Sequence, residues 1–302
     1  MPELPVDAWV ERAVQFLLDN FSGVFDVASK LILQLVNASY FLLISPHPLV
    51  LLACFTALAW AAARRWQPAL IACLGLLLIQ SMAMWTETMQ TLAVVIVAAV
   101  VALIVGIPVG IAAAGSTRVS VAVRPVLDFM QTLPVFVYLL PAVFFFGIGV
   151  VPGVVATTVF AIPPAVRLTE LGIRQVDSEV IEAAQAFGSR SRQILRDVQL
   201  PLAMPTIMAG VNQVIMMALS MVVIAGMVGG GGLGAVVVEA VTRLDIGRGF
   251  EGGLSVVILA IYLDRVSAAF GERRGRSRRL RTRPPAGTVP TRGEGPLESL
   301  TR

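Results

Sequence analysis

Residue types able to make or break covalent bonds are scarce in this chain. The single histidine, His47, precedes a proline at the edge of an apolar block. Cys54 and Cys73 sit in apolar blocks with no histidine or second cysteine nearby, a pattern of packed side chains and not of a disulfide or metal site. A phosphate-cradling loop of the P-loop kind needs a lysine after its glycines. The only lysine is Lys30, in an apolar helical stretch, so the glycine cluster Gly229 to Gly232 reads as an outer re-entrant turn. No cluster of carboxylates falls within an apolar block, which removes paired acid–base catalysis. The chain is expected to be no enzyme and to bind no cofactor or metal of its own.

The chemistry that remains is recognition by a hydrophilic segment set among apolar ones, Leu171 to Ile207. Asp177 is placed to cap a short helix, and Glu179 and Glu182 put negative charge toward its N-terminal end, where the helix dipole favours it. Gly188 ends or bends that helix. Arg190, Arg192 and Arg196 then lead to Leu200-Pro201 at the next apolar block. The segment reads as a helix-turn-helix projecting into the cytoplasm, shaped to be gripped by another protein.

The elements that must position this segment follow from composition. Of the 302 residues 57% are hydrophobic and 14% charged, with a mean hydropathy of +0.83, whereas a soluble domain carries about a quarter charged residues. The apolar residues arrive in blocks of about 17 to 28, and about 20 residues cross the hydrocarbon core as a helix. The chain is an all-α integral membrane protein, with spans predicted at 47–63, 67–85, 87–114, 126–148, 151–173, 202–226 and 250–268. Trp9 to about Leu43 shows helical spacing with Asp19, Asp26 and Lys30 interspersed, and reads as one or two amphipathic helices at the membrane surface. No basic stretch precedes an apolar run in the first 30 residues, so no cleavable signal peptide is expected.

Charge sets the orientation. With the C-terminus in the cytoplasm, eighteen basic residues lie inside and only Arg12, Lys30, Arg243 and Arg248 outside, as the positive-inside rule requires. The N-terminus is then outside. Ten of the 23 basic residues lie from Arg265 onward, which makes a lipid-attracted, disordered tail and not a nucleic-acid arm.

Prolines at positions 108, 134, 141, 163 and 164 interrupt the middle spans, and broken helices in lipid are tolerated beside a cavity or partner helices. Spans four and five are therefore the candidates to line a pathway. Pro134, Gln131, Asn212, Gln213 and Ser220 are candidate path residues, since buried polar groups in spans face a cavity or a neighbouring helix. Phe136, Tyr138 and Phe144 to Phe146 offer aromatic faces able to hold a methylated ammonium group. Gly106 and Gly110, four apart, allow close helix packing.

The run EAAQAFG (Glu182 to Gly188), followed twelve residues later by Leu200-Pro201, resembles the cytoplasmic EAA loop of permease subunits of ATP-binding-cassette (ABC) importers. FMQTLPVFVYLLPAVFFFGIGVVPG, FAIPPAVRLTELGIRQV, LPLAMPTIMAGVNQVIMMALSMVVIAGMVGGGGLG and FEGGLSVVILAIYLDR, in that order, are similar to the glycine betaine/proline branch. The likeness covers roughly residues 80 to 270. It implies a type I ABC importer permease-like bundle, paired as a homodimer in the family's own symmetry, above two ATPase subunits that carry ATP and Mg. It implies docking on the ATPase by Glu182, Ala183, Ala184 and Gly188, with flanking contacts from Arg190 and Arg192. It also implies a separate extracytoplasmic substrate-binding protein that delivers glycine betaine, proline betaine, carnitine or choline.

The chain then divides into interfacial helices (1–45), accessory spans (46–85), a permease core (86–270) with its coupling loop (174–201), and the basic tail (271–302). Two other readings compete. A stand-alone secondary transporter or channel calls for an intramembrane charge for ion coupling, but Asp128, Arg167 and Glu170 fall toward predicted cytoplasmic span ends. A non-transporting scaffold needs no broken spans with polar faces.

Overall fold

The computed structural model describes residues 6–279, and every regular element among them is helical. In chain order these are α1 (Val6–Ile44), α2 (Pro48–Ala63), α3 (Trp66–Ser81), α4 (Trp85–Gly115), α5 (Thr117–Thr132), α6 (Val135–Phe146), α7 (Val150–Arg174) and α8 (Ser178–Ala186). Then come α9 (Ser191–Gln193), a π-helical turn over Ile194–Gln199, α10 (Leu200–Gly226), α11 (Gly232–Arg243) and α12 (Ile246–Arg279). Residues 280–302, most of the tail read as disordered, lie outside the described residues; its first nine residues continue α12.

Five helical stretches are long and apolar enough to cross a membrane: Val14–Ile44, α4, α7, Ser191–Gly226 and α12 from Ile246 to Ala269. The fourth predicted span, 126–148, is instead two helices, α5 and α6, meeting at 98°, and it makes a sixth crossing if the bent pair is one span. The cause is local. Pro134 brings no N–H to continue α5 and biases the residue before it away from helix, and Leu133 is extended at φ −66°, ψ 134°. Pro108, Pro141, Pro163 and Pro164 lie inside helices that run on through them. The first two predicted spans are helices of 16 residues each, which at about 1.5 Å per residue fall short of a ~30 Å core.

The core is built on α4, α7 and α10. Helices α4 and α7 run parallel, with Gly106 beside Ala165 and Gly110 beside Thr169. A Cβ at Gly106 would lie 2.4 Å from Ala165 Cβ, and one at Gly110 2.6 Å from Thr169 Cβ and 2.7 Å from Val166 O. The glycine pair thus does what its spacing predicts, bringing two backbones together. Ala98, Ala102, Ala161, Val214 and Ala218 fill this contact with no exposed surface. The α2–α3 pair packs on α12 through Ala59, Ala72 and Tyr262, and Tyr262 donates to Phe55 O at 3.3 Å.

Helix α1 makes its contacts at the end of the bundle where α4 and α7 begin. Val36 is buried with Met84, Trp85 and Met89 at the start of α4 and with Val154 of α7. Eleven residues earlier Phe25 meets Phe145 and Phe146 at the end of α6. At the same end Gly149 N–H donates to Val228 O at 2.8 Å. The glycine cluster forms a turn there that leads into α11, whose first amides are capped from α4. Gly232 N–H donates to Gln90 Oε1 at 3.0 Å and Leu233 N–H to Thr91 Oγ1 at 2.8 Å.

Candidate coupling and translocation sites

Helix α8 is assembled as its sequence suggests. Asp177 Oδ1 accepts the Glu179 N–H at 3.0 Å, which satisfies an amide left open at the helix start, and Glu179 adds negative charge to the first turn. At the other end Ser189 N–H donates to Ala184 O at 3.1 Å and Gly188 N–H to Gln185 O at 2.8 Å. This pair of bonds is the Schellman arrangement, which needs a left-handed residue, and Gly188 has φ +80°. No residue of α8 is buried. Glu182, Ala183, Gly188, Arg190 and Arg192 are exposed and Ala184 half-buried, so five of the predicted docking positions are open to contact.

Leu200 and Pro201 belong to a different part of the device. Leu200 packs with Ile173, Ala203 and Ile207, which joins the end of α7 to the start of α10 just behind the loop. The π-helical turn stands immediately before it, where Leu200 N–H donates to Leu195 O. Such turns often mark functional sites inside helices. Short connections thus join α8 to α7 on one side and to α10 on the other.

Sequence reasoning passed over Phe187, the C-cap of α8, which is 91% exposed. The available signal was an aromatic residue directly before the turn glycine in an otherwise polar segment. A large exposed ring beside small alanines is the kind of anchor that fills a pocket on a partner.

A second cluster sits between α5 and α7. Glu170 is buried, accepting from Ser120 Oγ at 2.7 Å and pairing with Arg174 Nε at 2.9 Å and Arg124 at 3.5 Å. Arg174 also donates to Ala113 O of α4 at 2.9 Å. Arg167 pairs with Asp128 beside them. Arg124, Asp128, Arg167, Glu170 and Arg174 line a groove of about 280 Å³. The charges that fell toward span ends in the sequence thus tie three helices together.

The predicted path residues do not converge. Asn212 is turned toward α12, donating to Asp264 Oδ1 at 3.0 Å and accepting from Ser267 Oγ at 2.5 Å. Gln213 and Ser220 are exposed on α10, and Ser220 Oγ bonds back to Met216 O. Gln131, Pro134 and Phe136 are exposed along the α5–α6 elbow. Only Tyr138 of the seven lines the cavity inside that elbow, with Phe129, Phe145 and Phe146 among its other walls.

The described residues form a bundle of apolar helices, five of them long enough to cross a membrane, with the short unburied helix α8 set between two of them. Residues 106–276 match the family described as binding-protein-dependent transport system inner membrane component, and the chain belongs to that family. It is 47% identical over 277 residues to the glycine betaine/carnitine transport permease protein GbuB of Listeria monocytogenes, covering 90% of this chain and 98% of the relative. It is 46% identical over 275 residues to the glycine betaine/proline betaine transport system permease protein ProW of Escherichia coli, covering 91% and 77%. The fold is similar to a chain of the inward-facing MetNI methionine ABC transporter, with TM-score 0.55 and 24% identity over 64% of this chain and 93% of that one. The chain is accordingly a multi-pass inner-membrane permease subunit of an ABC importer, and ATP hydrolysis lies in a separate subunit.

Proposed function

We propose that this permease conducts glycine betaine or a related quaternary amine such as proline betaine, carnitine or choline into the cell. Its identity of 46–47% over nine-tenths of the chain to permeases named for these compounds carries the reading. Two copies form the channel. Each seats α8, through Glu182, Ala183, Ala184, Gly188 and Phe187, in a groove of an ATPase subunit that holds ATP and Mg. Arg190 and Arg192 flank the contact. Closure of the ATPases pulls on α8 and, through the Ile173–Leu200 packing, on α7 and α10.

A substrate-binding protein delivers its cargo at the opposite end, where α4 and α7 begin. The C-terminus is cytoplasmic and the N-terminus outside. The distribution of basic residues supports this orientation, with eighteen on the cytoplasmic side and four outside.

Cells stripped of other uptake routes provide the test. With this chain, its ATPase and its binding protein present they accumulate labelled glycine betaine, and the purified permease alone hydrolyses no ATP. Accumulation of sugars or peptides in place of quaternary amines overturns the substrate class.

A further inference from the structure

The elbow of α5 and α6 and the flank of α7 enclose a cavity of about 420 Å³. Four aromatic rings stand in its wall, Phe129 of α5 and Tyr138, Phe145 and Phe146 of α6, and no charged side chain lines it. Three of the rings are held by aromatic neighbours. Phe25 of α1 stacks on Phe145 with centroids 4.8 Å apart and meets Phe146 edge-on at 5.6 Å. Tyr138 is fixed by its hydroxyl on Met130 O and by an edge contact with Phe160 at 5.9 Å. The elbow itself exists because Pro134 breaks the span.

Resting on the quaternary-amine reading above, we infer that this cavity is a transient binding site of the permease for the methylated ammonium end of its substrate. A trimethylated nitrogen spreads its charge over its methyl groups, and ring faces attract such a cation by about 0.5 to 2 kcal/mol. The compounds in the relatives' names share a methylated quaternary nitrogen and differ in the tether and ring that carry their carboxylate. A wall of rings reads the shared end. Without a charged group to clamp the carboxylate, the site accepts the different tethers and leaves the acid toward the open mouth and water. Weak holding suits a pathway, in which a tightly bound substrate would stall.

The permease–ATPase complex, reconstituted in liposomes with its binding protein, tests this when Phe129 is replaced by phenylalanine carrying one, two or three ring fluorines. Fluorine drains the negative ring face and barely alters its shape, and Phe129 is the one of the four rings with no aromatic contact among the described residues. At matched amounts of assembled complex, maximal glycine betaine uptake is expected to fall stepwise, reaching about tenfold with three fluorines. A flat series at full uptake overturns the site and makes the cavity a lipid or packing crevice, while the quaternary-amine reading stands. An unmodified complex that takes up no quaternary amine overturns both.

Discussion

Ser120 of α5 donates its hydroxyl hydrogen to Glu170 of α7 at 2.7 Å, on the same carboxylate oxygen that Arg174 reaches at 2.9 Å. A carboxylate only 7% exposed is tolerable because both partners are in place. Removing it strands a guanidinium whose other bond is to Ala113 O. Glu170→Ala is therefore expected to destabilise the permease by about 2 kcal/mol, less than the loss for a fully enclosed pair because Arg124 and Arg174 keep contact with water. Ser120→Ala costs about 1 kcal/mol. Denaturant unfolding of the purified permease in detergent measures both, and a larger loss for the serine variant would contradict this account.

Gly110 faces α7 with no room for a side chain, since the obstacle at 2.7 Å is the Val166 carbonyl, a backbone atom that cannot swing aside. Gly110→Ala is expected to cost about 2 kcal/mol by forcing α4 and α7 apart. Gly115→Ala, at the end of the same helix with nothing within 4 Å, is neutral or gains about 0.5 kcal/mol from helix propensity. The pair of unfolding midpoints separates crowding from a general intolerance of α4 to substitution.

The placement of α1 makes a topological forecast. Val14–Ile44 is long enough to cross a membrane, yet Phe25 and Val36 touch the bundle at one end. A helix advances about 1.5 Å per residue, so the two contacts are about 17 Å apart along α1, and the charges Asp19, Asp26 and Lys30 within it favour a place at the membrane surface. Reporters fused before Val6 and after Ser45 are both expected outside, and one inserted between Gly188 and Arg196 inside. A cytoplasmic signal at Val6 would show that α1 crosses.

How much of this was legible beforehand differs by element. Asp177, Glu179 and Gly188 were readable because capping and left-handed turns depend on residue type alone, and the spacing of Gly106 and Gly110 announced a close helix contact. The α5–α6 bend was half visible. Pro134 marked a break, but Pro108, Pro163 and Pro164 looked the same in sequence and lie in helices that continue. The partner of Asn212 was invisible, because Asp264 and Ser267 lie over fifty residues away and nothing local selects them. The same holds for Phe25, whose partners Phe145 and Phe146 are fixed by packing between distant helices. The path residues chosen by polarity are scattered for this reason, whereas of the aromatic candidates Phe136, Tyr138 and Phe144 to Phe146 the structure sets Tyr138, Phe145 and Phe146 in one cavity wall.

At the proposed coupling helix α8, strain and contact separate. Gly188 sits at φ +80° with nothing within 4 Å of the position a Cβ would take, so a substitution meets no steric obstacle and acts through the backbone alone. A β-branched residue pays about 1–2 kcal/mol or more for the left-handed region, whereas asparagine tolerates it. Gly188→Val is expected to reach the membrane in normal amount, since α8 has no buried residue, and to lower transport and ATPase association tenfold or more. Gly188→Asn keeps most of both. Phe187→Ala leaves the turn intact but removes the exposed ring, and is expected to weaken ATPase association without changing the unfolding midpoint of the isolated permease. Ser116→Val, at an extended position with φ −144° where a β-branched residue fits, serves as the control and leaves transport unchanged. Co-purification of the ATPase and uptake at matched expression read all four. Normal transport by Gly188→Val would remove Gly188 from the coupling device, and a Gly188→Asn variant as damaged as the valine one would show that the glycine is needed for contact and not for its backbone angle.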